Sequence, residues 1–243
     1  DGELLLAGGD DFVIYSWNVE SGEEGMQYLG HSGRINTIIF HPYENIMASS
    51  SSSVIVWDFE TGKPISSFSQ NAPDIAFDPN GDGLAIPEVV DTVFGELPNR
   101  TIFHTPIIRV KNLHTKKTVS LYGLDLSNPD PGVITSIEYS PDGDKIAIGG
   151  PEDRIWFGNT ASSELDKLSQ PKSNAEVTSI AFSPDSQVLA VAYSDFAIRL
   201  WDAKTGRSLS VLRGHSREVR FVAFSPDGTA LASASDDEKV IIW

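Results

Sequence analysis

Residues 219–243 read VRFVAFSPDGTALASASDDEKVIIW, and the parts of this stretch recur along the chain. The central phrase Phe224-Ser225-Pro226-Asp227-Gly228 returns as Phe182-Ser183-Pro184-Asp185-Ser186, Tyr139-Ser140-Pro141-Asp142-Gly143, Phe77-Asp78-Pro79-Asn80-Gly81 and the eroded Phe40-His41-Pro42-Tyr43-Glu44. An apolar run ending in Trp-Asp accompanies it as Trp57-Asp58 and Trp201-Asp202, with Trp17-Asn18 a variant and Trp243 the last copy. Lys111-Asn112 and Gly158-Asn159 hold the same register without the tryptophan. From Trp17 through Trp57, Lys111, Gly158 and Trp201 to Trp243 the intervals are 40, 54, 47, 43 and 42 residues. A third phrase follows four of these positions: Ser21-Gly22, Thr61-Gly62, Thr205-Gly206 and the weaker Thr115-Lys116. Three phrases in fixed order make the chain an array of one repeated unit.

Each phrase has a physical task. Pro-Asp-Gly and Pro-Asn-Gly are tight turns, because proline presets φ and glycine tolerates positive φ. Thr-Gly is a second turn. The runs between them are short and rich in Val, Ile and Phe, which suits strands, and no window shows a helical stripe. Runs such as Ile146-Ala147-Ile148-Gly149-Gly150 and Leu231-Ala232-Ser233-Ala234-Ser235 use small residues. Small, nearly apolar strands fit sheets covered on both faces.

The composition narrows the function classes. The 243 residues carry 34 Asp+Glu against 18 Lys+Arg, a formal net charge of −16. That balance argues against nucleic acid as main ligand and against an anionic membrane surface. No apolar stretch is long enough for a spanning helix. The absence of cysteine excludes disulfides, thiol catalysis and thiolate-bound zinc. An apolar content of 40% is enough for a packed core and argues against disorder.

The repeat wording resembles the WD-repeat family of β-propellers over essentially the whole chain. The resemblance implies an all-β fold of four-stranded antiparallel blades. Calling the strands a to d, the tight turn joins a to b, Trp-Asp ends c, and Thr-Gly joins c to d. About six blades are expected, in register units 1–29, 30–70, 71–126, 127–170, 171–212 and 213–243 of a single propeller domain or part of one. On that register the chain starts at strand b and ends at strand c, which makes 22 strands: three, four sets of four, and three more. A six-bladed ring would need more, so the array is expected to be cut at both ends and to belong to a longer polypeptide of seven or more blades.

Family blades often hold an internal hydrogen-bonded set of His, Ser or Thr, Asp and Trp. The sixth unit has it complete in His215, Ser233, Asp237 and Trp243, which the resemblance casts as a structural set. A Ser-His-Asp triad is the competing reading, but nothing supplies an oxyanion hole. The second unit keeps Gly30-His31 and Trp57. The fifth keeps Asp195 and Trp201, with Ser173 and Val191 where His and Ser would stand. The serine run at 49–53 is expected to be a flexible polar b–c loop.

Other features invite function. Asp78-Pro79-Asn80-Gly81-Asp82-Gly83 matches the first positions of a calcium loop, but position 12 is Val89 and the same residues are this repeat's turn. The turn is the expected role. An insertion at 88–105 lengthens the b–c connection of the third unit. Its apolar residues include Phe94 and Phe103. It is either a partner-binding feature or a flap over its own blade. Arg213, Arg217 and Arg220 surround His215, a basic spot that could take an acidic or phosphorylated peptide or could be a solvated surface. The resemblance places further rim residues at Arg34, Asn36, Glu176, Thr178, Ser194, Glu218, Arg220 and Asp236.

No G-x-x-x-x-G-K-[ST], H-E-x-x-H or G-x-S-x-G occurs, and the five histidines show no ligand spacing. The sequence therefore points to a cytoplasmic, non-catalytic scaffold or sensor. It is expected to bind a protein or peptide, with no cofactor, metal, nucleic acid, membrane or small-molecule substrate. Its repeat wording also resembles the propellers that follow a NACHT module in fungal-type receptors, where they sense a ligand. A free-standing complex subunit or substrate adaptor is the alternative, and an enzyme with its site at the propeller channel stands further behind.

Overall fold

The computed structural model describes residues 2–94, 101–113, 115, 117–123, 133–161, 164–168 and 175–243, with backbone alone at 90–94, 101–106, 119–123, 164, 166 and 167. All described elements are strands. They form two compact units, Asp1–Glu88 with Val110–Lys117, and Val89–Arg109 with Thr118–Trp243.

In the first unit, β1 (Leu4–Gly8), β2 (Ile14–Asn18) and β3 (Glu24–Tyr28) make a three-stranded antiparallel sheet. A four-stranded sheet follows from β4 (Thr37–Phe40), β5 (Ile46–Ser50), β6 (Val54–Asp58) and β7 (Pro64–Phe68). The third sheet joins β8 (Ala76–Phe77), β9 (Gly83–Phe94), β10 (Thr101–Asn112) and β11 (Thr118–Gly123), and β9 and β10 run on into the second unit. That unit continues with β12 (Ser136–Tyr139), β13 (Lys145–Gly149), β14 (Ile155–Asn159) and β15 (Glu164–Lys167). The fifth sheet is β16 (Val177–Phe182), β17 (Val188–Tyr193), β18 (Ala197–Asp202) and β19 (Ser208–Arg213). The last is β20 (Val219–Phe224), β21 (Leu231–Ser235) and β22 (Val240–Ile242). Among the described residues, six sheets with 22 strands are the all-β, blade-by-blade architecture the repeat implies.

The turn phrases work through side-chain oxygens. Ser140, Ser183 and Ser225 each donate to the aspartate two residues on, at 2.6 Å in all three copies. Each hydroxyl also accepts a backbone N–H at or just before the start of the next strand, from Lys145 at 2.9 Å, Val188 at 2.8 Å and Ala230 at 3.0 Å. Between c and d, one carboxylate oxygen of Asp58 accepts from both the N–H and the hydroxyl of Thr61, at 2.8 Å each, and Asp202 does the same for Thr205. Trp-Asp-x-x-Thr-Gly is therefore a self-capping turn. Gly62 and Gly206 follow at φ of 68° and 67°, where glycine avoids left-handed strain.

These bonds favour the ionised carboxylates. The Thr61 donors draw the Asp58 pKa down, and the Ser225 hydroxyl, helped by Thr229, draws Asp227 down to about 2 from 3.8. A depressed folded-state pKa contributes stability above the unfolded value and loses it on acidification. The thermal midpoint is therefore expected to fall as pH drops from 3.8 toward 2. Asp227→Asn should flatten that part of the pH profile. An unchanged slope would mean that this turn is not coupled to folding.

Small strands are buried between sheets. Within the second unit, Ala181, Ala190, Ala192 and Ile198 of the fifth sheet pack against Val219, Val222 and Leu231 of the sixth. Phe157 of the fourth packs with Ile180, Leu189 and Trp201. A Cβ at Gly149 would overlap Val177, so glycine there sets the approach of two sheets. Within the first unit, Ile14 and Tyr28 meet Met47, Ile55 and Trp57, and Val54 and Val56 meet Ile75, Leu84 and Ile86. Burying each such large side chain contributes about 1.5–3 kcal/mol.

The insertion at 88–105 takes the form of longer strands. β9 and β10 are neighbours of 12 residues each, against at most 6 in any other described strand. Its connecting residues 95–100 lie outside the described residues.

Candidate functional site

The four side chains of the sixth repeat meet. β21 pairs with β22 so that Ser233 faces Ile241, which sets Ser233 beside the indole of Trp243. Trp243 Nε1 donates to Ser233 Oγ at 2.9 Å, and His215 Nε2 shares a 2.7 Å hydrogen bond with the same oxygen. His215 Nδ1 lies 3.0 Å from Asp237 Oδ2, with the two side chains 0% and 3% exposed. The Ser216 N–H also donates to Asp237, and with His215 it holds that carboxyl well below the usual carboxylate range. Ser233 is buried and its oxygen is already shared by two rings, so the arrangement gives a substrate no approach to a nucleophile.

The second repeat contains the same device, built on a residue expected to lie in a flexible loop. Ser49 and Ser50 belong to β5, and Ser49, Ser50 and Ser51 are all 0% exposed. This corrects the loop reading for Ser49 and Ser50, while Ser51, Ser52 and Ser53 form the b–c turn as expected. Trp57 Nε1 donates to Ser49 Oγ at 2.8 Å and His31 Nε2 lies 2.6 Å from it. The physical reason is hairpin length. Ser50 pairs with Val54, whereas in the sixth repeat Ala234 pairs with Val240 across a longer turn. Aligning serines by their distance from tryptophan therefore misses Ser49. The shorter turn also deletes the aspartate. His31 Nδ1 has no partner among the described residues, and burial pushes the imidazole pKa below 6.5.

In the fifth repeat the set has been replaced. Val191 pairs with Arg199, the positions that Ser233 and Ile241 hold in the sixth. Asp195 accepts two bonds from the Arg199 guanidinium, at 3.1 and 2.5 Å, and Arg199 lies 4.2 Å from the centre of the Tyr193 ring. Trp201 Nε1, having lost the serine, is buried without a hydrogen-bond partner among the described residues. Ser173 lies outside the described residues.

The rim residues fall into three groups. Glu176 and Ser194 tie the start of strand a to the b–c turn: Glu176 N–H donates to Ser194 Oγ at 2.9 Å, and Ser194 N–H to the Glu176 carbonyl at 3.0 Å. In the sixth repeat Arg220 grips Asp236 with two bonds, at 2.9 and 2.7 Å, and donates to Glu218 at 2.9 Å. Arg217 donates to the Asp236 carbonyl at 3.4 Å. Acids thus answer much of the basic spot. A second group is occupied in holding sheets together: the Thr178 hydroxyl donates to Val219 O at 2.5 Å and the Asn36 amide to Ala72 O at 3.2 Å. Among the described residues Arg34 forms an exposed pair with Asp10, worth little. The side chains of Phe94 and Phe103, on β9 and β10, lie outside the described ones.

Two further residues stand out at b–c turns. Phe12 and Phe196 have φ of 69° and 70° and are 44% and 45% exposed. A left-handed bulky residue costs about 1–2 kcal/mol, and the exposed part of each ring returns none of that. Glu238 takes the same conformation in the sixth repeat at φ 65°. The sequence signal was an Asp-Phe pair at a place suited to glycine or asparagine.

The segment 78–83 is this repeat's turn. Gly81 N–H donates to Asp78 O at 2.7 Å, and Asn80 N–H to the Asp78 carboxylate at 2.9 Å. Among the described residues no three His, Asp or Glu side chains cluster as metal ligands.

Comparison with known proteins follows the repeats. The profile of the anaphase-promoting complex subunit 4 WD40 domain matches residues 137–219, and that of the WD domain, G-beta repeat, matches 22–58 and 206–243. Periodic tryptophan protein 2 of Arabidopsis thaliana is 25% identical over 222 residues, covering 88% of this chain and 22% of that protein. WD repeat-containing protein SL1-17 of Schistosoma mansoni is 27% identical over 212 residues, 84% of this chain and 63% of that protein. Human serine-threonine kinase receptor-associated protein is 40% identical over 63 residues, 25% of this chain and 18% of that protein. The chain spans less than two thirds of each of these relatives.

Proposed function

We propose, from the premise that this chain is built of WD40 repeats, that it is a non-catalytic interaction module whose b–c turns and strand-a starts grip a protein or peptide. Phe196 carries the reading. It holds an unfavourable backbone conformation and an exposed ring beside the tied pair Glu176 and Ser194. Nearly half of that ring stays in water, and exposed aromatics anchor partners. A domain family named for a complex subunit and a relative named as a receptor-associated protein support a role in assemblies. The fixed turns lower the ordering cost of association.

Phe196→Asn tests this, since asparagine accepts the left-handed conformation. The variant is expected to keep or raise the thermal midpoint while weakening a partner captured by the wild-type chain at least tenfold. A partner held equally by both chains overturns the assignment. The narrower role of sensor in a NACHT receptor predicts a P-loop encoded upstream in the transcript, and a free-standing adaptor predicts further repeats.

A further inference from the structure

The tryptophan that ends strand c in the second, fifth and sixth repeats is absent from the third, and a cavity lies beside its replacement. The turn bonds fix the equivalence. Asn112 accepts from the N–H and hydroxyl of Thr115 and donates its own N–H to Lys117 O, as Asp58 does with Thr61 and Lys63. Leu113 N–H reaches Asp82 O as Phe59 N–H reaches Asn45 O. Lys111 therefore occupies the place of Trp57. The Trp57 ring is fully buried and lies 5.9 Å from Tyr28, the last residue of β3. The Lys111 ammonium lies 5.5 Å from the ring of Phe68, the last residue of β7.

A lysine arm does not fill the space of an indole. Beside Lys111 lies a pocket of about 350 Å³ within the first unit, open to solvent and lined by Ile46, Val56, Phe68 and Leu113, with Ser66 and Lys111. That volume falls within the range of small-molecule pockets, about 300–1,000 Å³. We propose that this cavity binds a neutral planar aromatic ring of indole size, occupying the room that the missing tryptophan leaves. The apolar walls supply burial, and the Lys111 ammonium can face the ring as a cation–π partner. Glu44 also lines the cavity, so its charge offsets that of Lys111 and a neutral ring fits better than an ion. The Ser66 hydroxyl can accept a ring N–H.

Indole itself is the probe, added to the full chain while the thermal midpoint and binding heat are followed. A saturable rise of about 3 °C is expected at ten times Kd. Lys111→Trp fills the cavity with the chain's own ring. It should keep or raise the midpoint and lose indole affinity at least tenfold. Ser66→Leu, which narrows the cavity from the other wall, should also weaken binding tenfold and serves if Lys111→Trp does not fold. No saturable shift up to the solubility of indole overturns the proposal. So does unchanged affinity in a folded Lys111→Trp or Ser66→Leu variant.

Discussion

Alanine at position 41 is expected to destabilise the chain by about 3 kcal/mol, or roughly 6–12 °C in thermal midpoint. His41 stands where three later repeats have serine, and it does more than serine can. Its Nδ1 accepts from the backbone N–H groups of Tyr43 and Glu44, at 3.2 and 2.9 Å. Nε2 must then carry the proton, which it donates to the Gly81 carbonyl in the next repeat at 2.8 Å. The ring also meets Phe77 edge to face at 5.2 Å. His41→Ala removes all three interactions and leaves a void beside the buried Gly81 carbonyl. His41→Ser restores an acceptor for the turn but not the tie between repeats, so it should recover only part of the loss. Equal losses for the two variants would mean that the turn bonds contribute nothing. An unchanged midpoint for His41→Ala would mean that the tie does not stabilise the fold. Thermal or urea unfolding of the three chains decides.

Ser49→Ala is expected to cost about 3 kcal/mol as well, by a different route. One oxygen serves two buried rings, so its loss strands the Trp57 N–H and the His31 imidazole together. Little volume is removed, so the cost is almost wholly polar. Ser50 supplies the control one residue away. Its hydroxyl is equally buried but has no hydrogen-bond partner among the described residues. Ser50→Ala should therefore be neutral or stabilising, because it removes an unsatisfied polar group. Two adjacent Ser→Ala changes in one strand are thus expected to differ in sign. If both lower the midpoint alike, the hydrogen-bond account of the second repeat fails. Lowering the pH adds a related effect. Because burial holds the His31 pKa below 6.5, the unfolded chain takes up that proton first, and stability declines as pH falls below 6.5.

Much of the fold was legible because its signals are local. Turn phrases such as Ser183-Pro184-Asp185 and Asp202-x-x-Thr205-Gly206 close their own hydrogen bonds within five residues, so their chemistry can be read without a neighbour. The meeting of His215, Ser233, Asp237 and Trp243 was legible for the same reason, since strand period and turn length in that repeat follow the family pattern. The long pair β9 and β10 was read as an insertion but not as strands, because nothing local separates an extended hairpin from a loop.

The repeat order and the turn chemistry are determined by sequence alone, since the repeated phrases are local and each turn closes its own hydrogen bonds. The tertiary structure decided the register within a hairpin and the contacts between hairpins. It showed Ser49 to be the shared acceptor of the second repeat, because register, not distance from tryptophan, sets which side chains face each other. It made His41 a tie to Gly81 and Thr178 a tie to Val219, bonds that cross from one sheet to the next. It also turned the substitution of Lys111 for tryptophan from a missing motif letter into a cavity. Packing volume between sheets depends on side chains from both walls, and no single stretch of sequence contains both.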